Sequence, residues 1–128
     1  MNKNEKTVKD TLQACIDACQ KSKIACHALM ECELAHNQVE REECVLNCEN
    51  VISACDACIA MCHKQLEHNR DHQEVLHLQE CIKKCHDCIA VAQECKKLCE
   101  SNDIHCQQAC KRCAHACNEC IRACEKCM

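Results

Sequence analysis

The chain has no glycine, no proline and no aromatic residue among its 128 residues. Without glycine and proline it has few residues suited to tight turns, unlike the small, loop-rich scaffolds that disulfides hold together. Without Phe, Tyr and Trp it has no side chain on which a nucleic-acid base can stack. Its formal net charge is −4, and its charges of both signs are interspersed, with no basic block to attract phosphate. These absences argue against a disulfide scaffold and against a nucleic-acid partner.

Cysteine is the abundant residue, with 21 copies. The other apolar residues are mainly Ala, Ile, Leu and Val, and they are too few to fill a core alone. An odd number of cysteines cannot pair fully within one chain. The first residues, MNKNEKTVKDTLQACIDACQ, are charged and lack the apolar segment of a signal peptide, and no apolar run reaches the roughly 20 residues that span a bilayer. We therefore expect reduced, buried cysteines in a cytoplasmic protein without a membrane partner.

Local signals divide the chain into helices. Ala, Glu, Lys, Gln and Leu favour helix throughout. Asn37 with Glu40, and Asp71 with Glu74, each resemble a capping box at a helix start. The cap-forming residues 101–103 interrupt a third helical stretch. The predicted helices are 5–35, 38–67, 72–100 and 103–127.

Similar helix lengths and very short connections predict one all-α domain over residues 1–128, folded as an antiparallel up-down-up-down four-helix bundle. Each helix carries one line of cysteines. Residues 106–127 show this most clearly, because their cysteines follow at steps of four, three, four, three, four and three. At about 100° per residue these steps keep the thiols on one face, where a bundle normally places leucine.

Twenty cysteines lie on these stripes and form the predicted cysteine-lined core. Ser22 occupies a gap in the first stripe, and Cys32 lies about 120° away from its neighbour Cys26. The twenty are Cys15, Cys19, Cys26, Cys44, Cys48, Cys55, Cys58, Cys62, Cys81, Cys85, Cys88, Cys95, Cys99, Cys106, Cys110, Cys113, Cys117, Cys120, Cys124 and Cys127.

The stripes point to metal binding. One buried cysteine can simply be a small hydrophobe, but twenty would sacrifice apolar area that leucine supplies. Cysteines at i and i+4 have Cβ atoms about 5–6 Å apart, so their sulfurs can share an ion. Soft thiolates select Cu(I), zinc or iron–sulfur clusters. A continuous ladder suits Cu(I), which accepts two or three sulfurs, and a monovalent ion can neutralise the buried thiolates one for one.

Segments such as CKRCAHACNEC and CIKKCHDC, with C-x3-C pairs on all four helices, resemble the bacterial copper storage proteins, which are cysteine-rich four-helix bundles. This resemblance implies a bundle whose inward cysteines hold many Cu(I) ions and that assembles as a homotetramer. The absence of a signal peptide resembles the cytosolic branch of that family. The chain departs from the family in its lack of aromatic residues and in the off-stripe Cys32.

Further candidate ligands are Met30, His36 and His105, with Cys32 one helical turn before His36. We expect them to cluster at one end of the bundle, where weaker ligands can admit copper and pass it inward. The opposite end is predicted to be filled by hydrocarbon, from Val8, Leu12, Leu66 and Leu78.

The sequence thus predicts a non-enzymatic, cytosolic protein that stores many Cu(I) ions per chain. Its expected partners are copper ions and a copper chaperone or chelator. One alternative is a zinc or mixed-metal thiolate buffer, which would need about two thiolates for each divalent ion. Another is a thiol–disulfide redox protein. Functional redox dithiols, however, come as one or two exposed pairs with tuned pKa values, and the predicted array is buried.

Overall fold

The computed structural model describes residues 3–32 and 37–128, with side chains described from residue 7. These residues form four helices and no strand: α1 (Lys3–Glu31), α2 (Gln38–His68), α3 (His72–Glu100) and α4 (Cys106–Lys126). Each helix packs against the one that follows it, and α4 packs back against α1. The predicted all-α four-helix bundle is confirmed.

The two expected capping boxes differ in outcome. Asp71 caps α3, because its carboxylate accepts a hydrogen bond from the Glu74 backbone N–H at 3.1 Å. The Glu74 carboxylate does not return to Asp71 and instead accepts from Asn69 Nδ2 at 2.6 Å. The Asn37 side chain makes no cap bond to α2; its Oδ1 accepts from Arg41 Nε at 2.9 Å. The predicted capping box at Asn37 is therefore wrong, because Arg41, one turn further along α2, binds the side-chain oxygen that would have capped the helix.

The break between α3 and α4 is longer than predicted. Helix α4 begins at Cys106, not at 103. Asn102 adopts a positive φ of 52°, a left-handed conformation that Asn tolerates better than most residues. The Asp103 carboxylate then accepts a hydrogen bond from the His105 backbone N–H at 2.8 Å, which holds this turn outside the helix.

The first helix ends at Glu31, four residues before its predicted end at 35. Its final carbonyls have partners on another helix. Gln107 of α4 donates from Nε2 to the carbonyls of Leu29 and Cys32, both at 3.0 Å. Carbonyls at a helix end often lack partners within the helix. The Gln107 amide supplies a donor to the Cys32 carbonyl and a second donor to the Leu29 carbonyl, which also accepts from the Cys32 backbone N–H at 3.2 Å.

The core is built from the cysteine stripes. Nineteen cysteines are fully buried, and Ser22 is buried in the gap of the first stripe. Cys32 and Cys127 are half-buried. Leu12 and Leu78 are buried, and Val8 and Leu66 are partly buried and pack against the core, which agrees with the predicted hydrocarbon plug. The sequence pattern therefore placed the interior correctly, apart from Cys127.

Ion pairs join the outer faces of neighbouring helices. Arg112 on α4 meets Glu94 on α3 at 2.8 Å, and Lys96 on α3 meets Glu49 on α2 at 3.5 Å. These side chains are largely exposed, and exposed pairs contribute about 0–1 kcal/mol each. Most of the stability must therefore come from the interior and from the helices themselves.

Helix α2, with 31 residues, is long and apolar enough to cross a membrane by length and composition alone. This is weak support for a membrane span, since the core helix of a soluble bundle passes the same test. Its buried residues are mainly the stripe cysteines, which count as apolar. The buried stripe therefore contributes part of this apolar character.

The metal-free, reduced protein should already be helical. Neutral thiols pack as small hydrophobes, so the interior does not need an ion to form. We expect a strong helical circular dichroism spectrum under reducing, chelator-treated conditions, with little change when metal is added. A random-coil spectrum that becomes helical only with metal would instead indicate folding coupled to metal binding.

Candidate metal centre

The buried sulfurs form several groups in which every sulfur lies within 4.8 Å of the others. Five of these groups, three with four cysteines and two with three, consist entirely of buried residues. They are Cys15/Cys58/Cys85/Cys124, Cys15/Cys19/Cys55/Cys120, Cys26/Cys44/Cys95/Cys110, Cys19/Cys88/Cys117 and Cys48/Cys95/Cys113. The core is therefore a set of possible thiolate metal sites, many in one chain.

One of these groups takes one sulfur from each helix. Cys44 of α2 lies 3.9 Å from Cys26 of α1, 3.6 Å from Cys95 of α3 and 3.5 Å from Cys110 of α4, measured between sulfurs. Four sulfurs bound tetrahedrally at about 2.3 Å from zinc would lie about 3.8 Å apart. Two or three of them can equally bind a low-coordinate Cu(I) ion. The spacing therefore fits a thiolate-bound ion without selecting the metal.

Adjacent groups share cysteines, so the sites are connected. Cys15 belongs to two groups, and Cys19 links one of these to the Cys88/Cys117 pair, whose sulfurs are 3.8 Å apart. Cys95 belongs to two groups near the other end. A sulfur of one group therefore also lies within reach of an ion held by the next group. We call this connected set the sulfur network.

The network continues toward the hydrocarbon-filled end. The Cys81 sulfur lies 3.6 Å from that of Cys58 and 3.7 Å from that of Cys124. All 21 cysteines are free, since none is disulfide-bonded. The predicted reduced state agrees with this structure.

Ser22 is the one polar side chain set within the line of thiols on α1. Its hydroxyl is fully buried and lies 3.9 Å from the Cys113 sulfur. A hydroxyl is a harder ligand than a thiolate and suits Cu(I) poorly. Beside Ser22, therefore, soft sulfur ligands can come only from the other three helices.

Contacts among the sulfurs shift the pKa values of most thiols upward. Contacts with Cys117 and Cys120, together with burial, raise the pKa of Cys19 well above its ordinary value. Sulfur contacts and burial likewise raise the pKa of Cys95 and Cys124. Burial disfavours a thiolate, and an existing thiolate disfavours a second one beside it. These thiols therefore stay protonated at neutral pH in the metal-free protein.

A smaller number of sulfurs have lowered pKa values because neighbouring thiols stabilise the anion. Cys124 and Cys15 hold the pKa of Cys120 low by offering S–H donors to it. The Cys117 contact is the main cause that lowers the pKa of Cys88, to about 6. One thiolate in a group can thus be stabilised by the S–H donors of its neighbours.

Cys127 and Cys32 differ in their relation to the network. The Cys127 thiol is half-buried, donates to the His77 carbonyl at 3.4 Å and contacts the Cys81 sulfur, so it extends the network. Cys32 is off the stripe, and the carboxylate of Glu40 lies near its thiol. The Cys127 position supports its predicted ligand role, whereas the Cys32 position does not.

The other predicted ligands are only partly brought together. Met30 is half-buried and packs against the core. His105 is exposed, and its side chain makes no cap bond to α4. His36 lies outside the described residues. Sequence reasoning missed Arg41 and Gln107, which cross between helices at this end. An arginine four residues after Asn37 was the available sequence signal.

Comparisons with protein-family models, curated proteins and solved structures each found no match. The family relationship suggested by the C-x3-C pairs therefore stays a prediction.

Metal loading should release protons. Because most of the thiols have raised pKa values, binding must displace roughly one proton for each new thiolate. We expect release of somewhat less than one proton per monovalent ion in a weakly buffered indicator assay, because the thiols with lowered pKa values have already lost theirs. Binding should weaken as the pH falls, since protons then compete more strongly for sulfur. Loading without proton release would mean that the core already holds thiolates.

Cysteines inside and outside the network should differ in their effect on capacity. Cys95→Ser removes a sulfur that two groups share, and we expect metal capacity to fall by about one or two ions because a shared ligand serves more than one ion. Cys32→Ser is the matched control, with the same chemical change at a half-buried position off the stripe. Its capacity should equal that of the wild type. Equal losses from both variants would contradict the assignment of Cys95 to shared sites.

Proposed function

We propose that this protein stores Cu(I) by binding many ions to the thiolates of its core. The observation that carries this proposal is the sharing of buried cysteines between adjacent groups, as at Cys15, Cys19 and Cys95. Sharing suits an ion that is satisfied by two or three sulfurs, because a bridging thiolate can serve two such ions. It suits poorly an ion that needs four separate ligands.

Charge supports the choice of a monovalent ion. A loaded core holds about one thiolate per cysteine, and an unpaired buried anion costs several kcal/mol. One Cu(I) ion for each thiolate leaves the interior neutral. Zn(II) bound by four thiolates would instead leave two negative charges at each site. Unlike the core, the surface around it carries acids and bases of both signs.

Zinc storage is the second candidate, and one observation favours it. The Cys26/Cys44/Cys95/Cys110 group gathers four sulfurs whose closest approaches fall at 3.5–3.9 Å, near the spacing of a tetrahedral zinc site. Burial argues against a thiol–disulfide redox function, since such chemistry needs an accessible sulfur. Nineteen of the cysteines have no exposed surface.

The wider setting follows from the resemblance and belongs to the same proposal. We expect a cytoplasmic homotetramer that catalyses no reaction and exchanges copper with a chaperone or chelator. The presence of free thiols along the whole core is consistent with a reducing compartment.

Stoichiometry tests the proposal. In an anaerobic titration against a coloured Cu(I) chelator, we expect saturation at roughly 15–22 ions per chain, because bridging thiolates are shared between ions. A parallel Zn(II) titration against a zinc indicator should saturate at no more than about half that number, since each divalent ion needs at least two thiolates. Saturation with about four to six Cu(I) ions would point to separate tetrahedral sites and would sink the storage proposal.

A further inference from the structure

A surface cavity of about 440 Å³ lies where α2 begins and α3 ends. Its walls are formed by Gln38, Arg41, Glu42, Val45, Cys99 and Glu100. Cys99 also belongs to the sulfur network, since its sulfur lies 4.0 Å from that of Cys95 and 3.9 Å from that of Cys110. Cys99 nevertheless has no exposed surface. The cavity thus reaches the wall of the network while the network itself stays covered.

Arg41 crosses between the two helices at this cavity. Its Nη1 donates to the Cys99 carbonyl at 3.1 Å, and its Nε donates to Asn37 Oδ1 at 2.9 Å. A guanidinium has several donors in a rigid plane, so one side chain can hold both partners at once. Arg41 therefore ties the start of α2 to the end of α3 beside a network cysteine.

The arrangement in which Arg41 bonds Asn37 and the Cys99 carbonyl leaves one buried polar group in the described part of the chain without a hydrogen-bond partner. Asn37 is buried, and its Nδ2 has no hydrogen-bond partner among the described residues. A buried donor without a partner destabilises the arrangement that buries it. The hydrogen bond between Arg41 and Asn37 can therefore break without disrupting a set of buried polar groups that are all hydrogen-bonded.

At the same end of the bundle, a different side chain joins α1 to α4. Between α1 and α4, the Gln107 amide makes two bonds of 3.0 Å to the carbonyls of Leu29 and Cys32. These bonds satisfy the end of α1. Gln107 therefore offers a matched comparison, since it is another polar side chain that crosses helices at this end, away from the cavity wall formed by Cys99.

The cavity also has charges that suit a cation. Glu42 and Glu100 are the acidic residues of its walls, and Arg41 is the basic one. Carboxylates attract a positive ion from solution but are hard ligands that hold Cu(I) weakly. Such a site concentrates the ion without retaining it.

We propose that this cavity is the access site for Cu(I) and that Arg41 is the positioning residue that keeps Cys99 covered. This inference rests on the proposed storage function. A cationic Cu(I) complex with labile neutral ligands collects beside the carboxylates, and movement of Arg41 uncovers Cys99. The Cys99 thiol gives its proton to water, a copper–sulfur bond forms and a neutral ligand leaves, with copper remaining Cu(I). The ion then passes to Cys110 or Cys95.

Uptake kinetics test this assignment. The metal-free, reduced protein is mixed anaerobically with the acetonitrile complex of Cu(I), a cation, and metal–thiolate absorbance is followed in a stopped-flow instrument. We expect Arg41→Ala to accelerate uptake about tenfold, since a hydrogen bond from a charged donor is worth about that factor or more. Removal by a Cu(I) chelator should accelerate similarly. Arg41→Lys, which cannot hold both partners, should be intermediate.

Gln107→Ala is the control, and its rates should match those of the wild type. Final capacity should be the same in all variants because no ligand has changed. Equal acceleration in Arg41→Ala and Gln107→Ala would mean general loosening of the bundle end and would overturn the assignment. An unchanged Arg41→Ala rate would overturn it as well. A wild-type protein that does not load Cu(I) to high stoichiometry would instead refute the storage function itself.

A second variant tests the cavity without altering Arg41. Changing Glu42→Gln together with Glu100→Gln removes the two attracting charges, and both side chains are exposed, so folding should be unaffected. We expect uptake of the cationic complex to slow several-fold at low salt, with the difference shrinking at high salt because of screening. Equal rates at low salt would contradict access through this cavity.

Discussion

Thiols from four helices approach one another to 3.5–4.0 Å along the interior, and the rest of the structure depends on this contact. A cysteine side chain is short, so its sulfur meets a partner only if the helices lie close together. Buried alanines such as Ala92, Ala109 and Ala123 allow that approach beside the stripes. The lack of aromatic residues fits the same constraint, because a ring would hold the helices apart.

A core of thiols has to serve two states with different physics. Without metal, the sulfurs are mostly protonated and pack as small hydrophobes. With metal, they become anions that are tolerable only beside a cation. Cysteine buries less apolar area than leucine, so the hydrocarbon at one end, including Leu12 and Leu78, supplies packing that the stripes cannot. The same side chains can therefore pack as neutral thiols and offer thiolates to a metal ion.

The two ends of the bundle differ in the side chains that separate the sulfur network from solvent. Hydrocarbon covers one end, although Cys127 reaches its edge. At the other end Leu29 is also buried, but polar side chains cross between the helices, with Arg41 between α2 and α3 and Gln107 between α1 and α4. Hydrogen bonds can open and re-form at modest cost, whereas an ion has no favourable path through packed leucine. We infer that exchange with solvent takes place at the polar end.

The sequence by itself determined the helical class, the number of helices and the inward face of each one. These follow from helix propensity and from a spacing of three and four residues, both of which are local properties. The bounds of α3 were predicted to the residue, and all stripe cysteines except Cys127 proved fully buried.

Only the tertiary structure decided which sulfurs meet and how the polar end is closed. The sharing of Cys15 and Cys95 between groups depends on the relative heights of four helices, which no single helix encodes. The end of α1 is held across helices by Gln107, which donates to the Leu29 and Cys32 carbonyls. The missing cap at Asn37 has a local cause, because Arg41, four residues on in α2, occupies the Asn37 side-chain oxygen. Gln107 and the carbonyls of α1, like Arg41 and the Cys99 carbonyl, are distant in sequence and become neighbours only when the bundle forms.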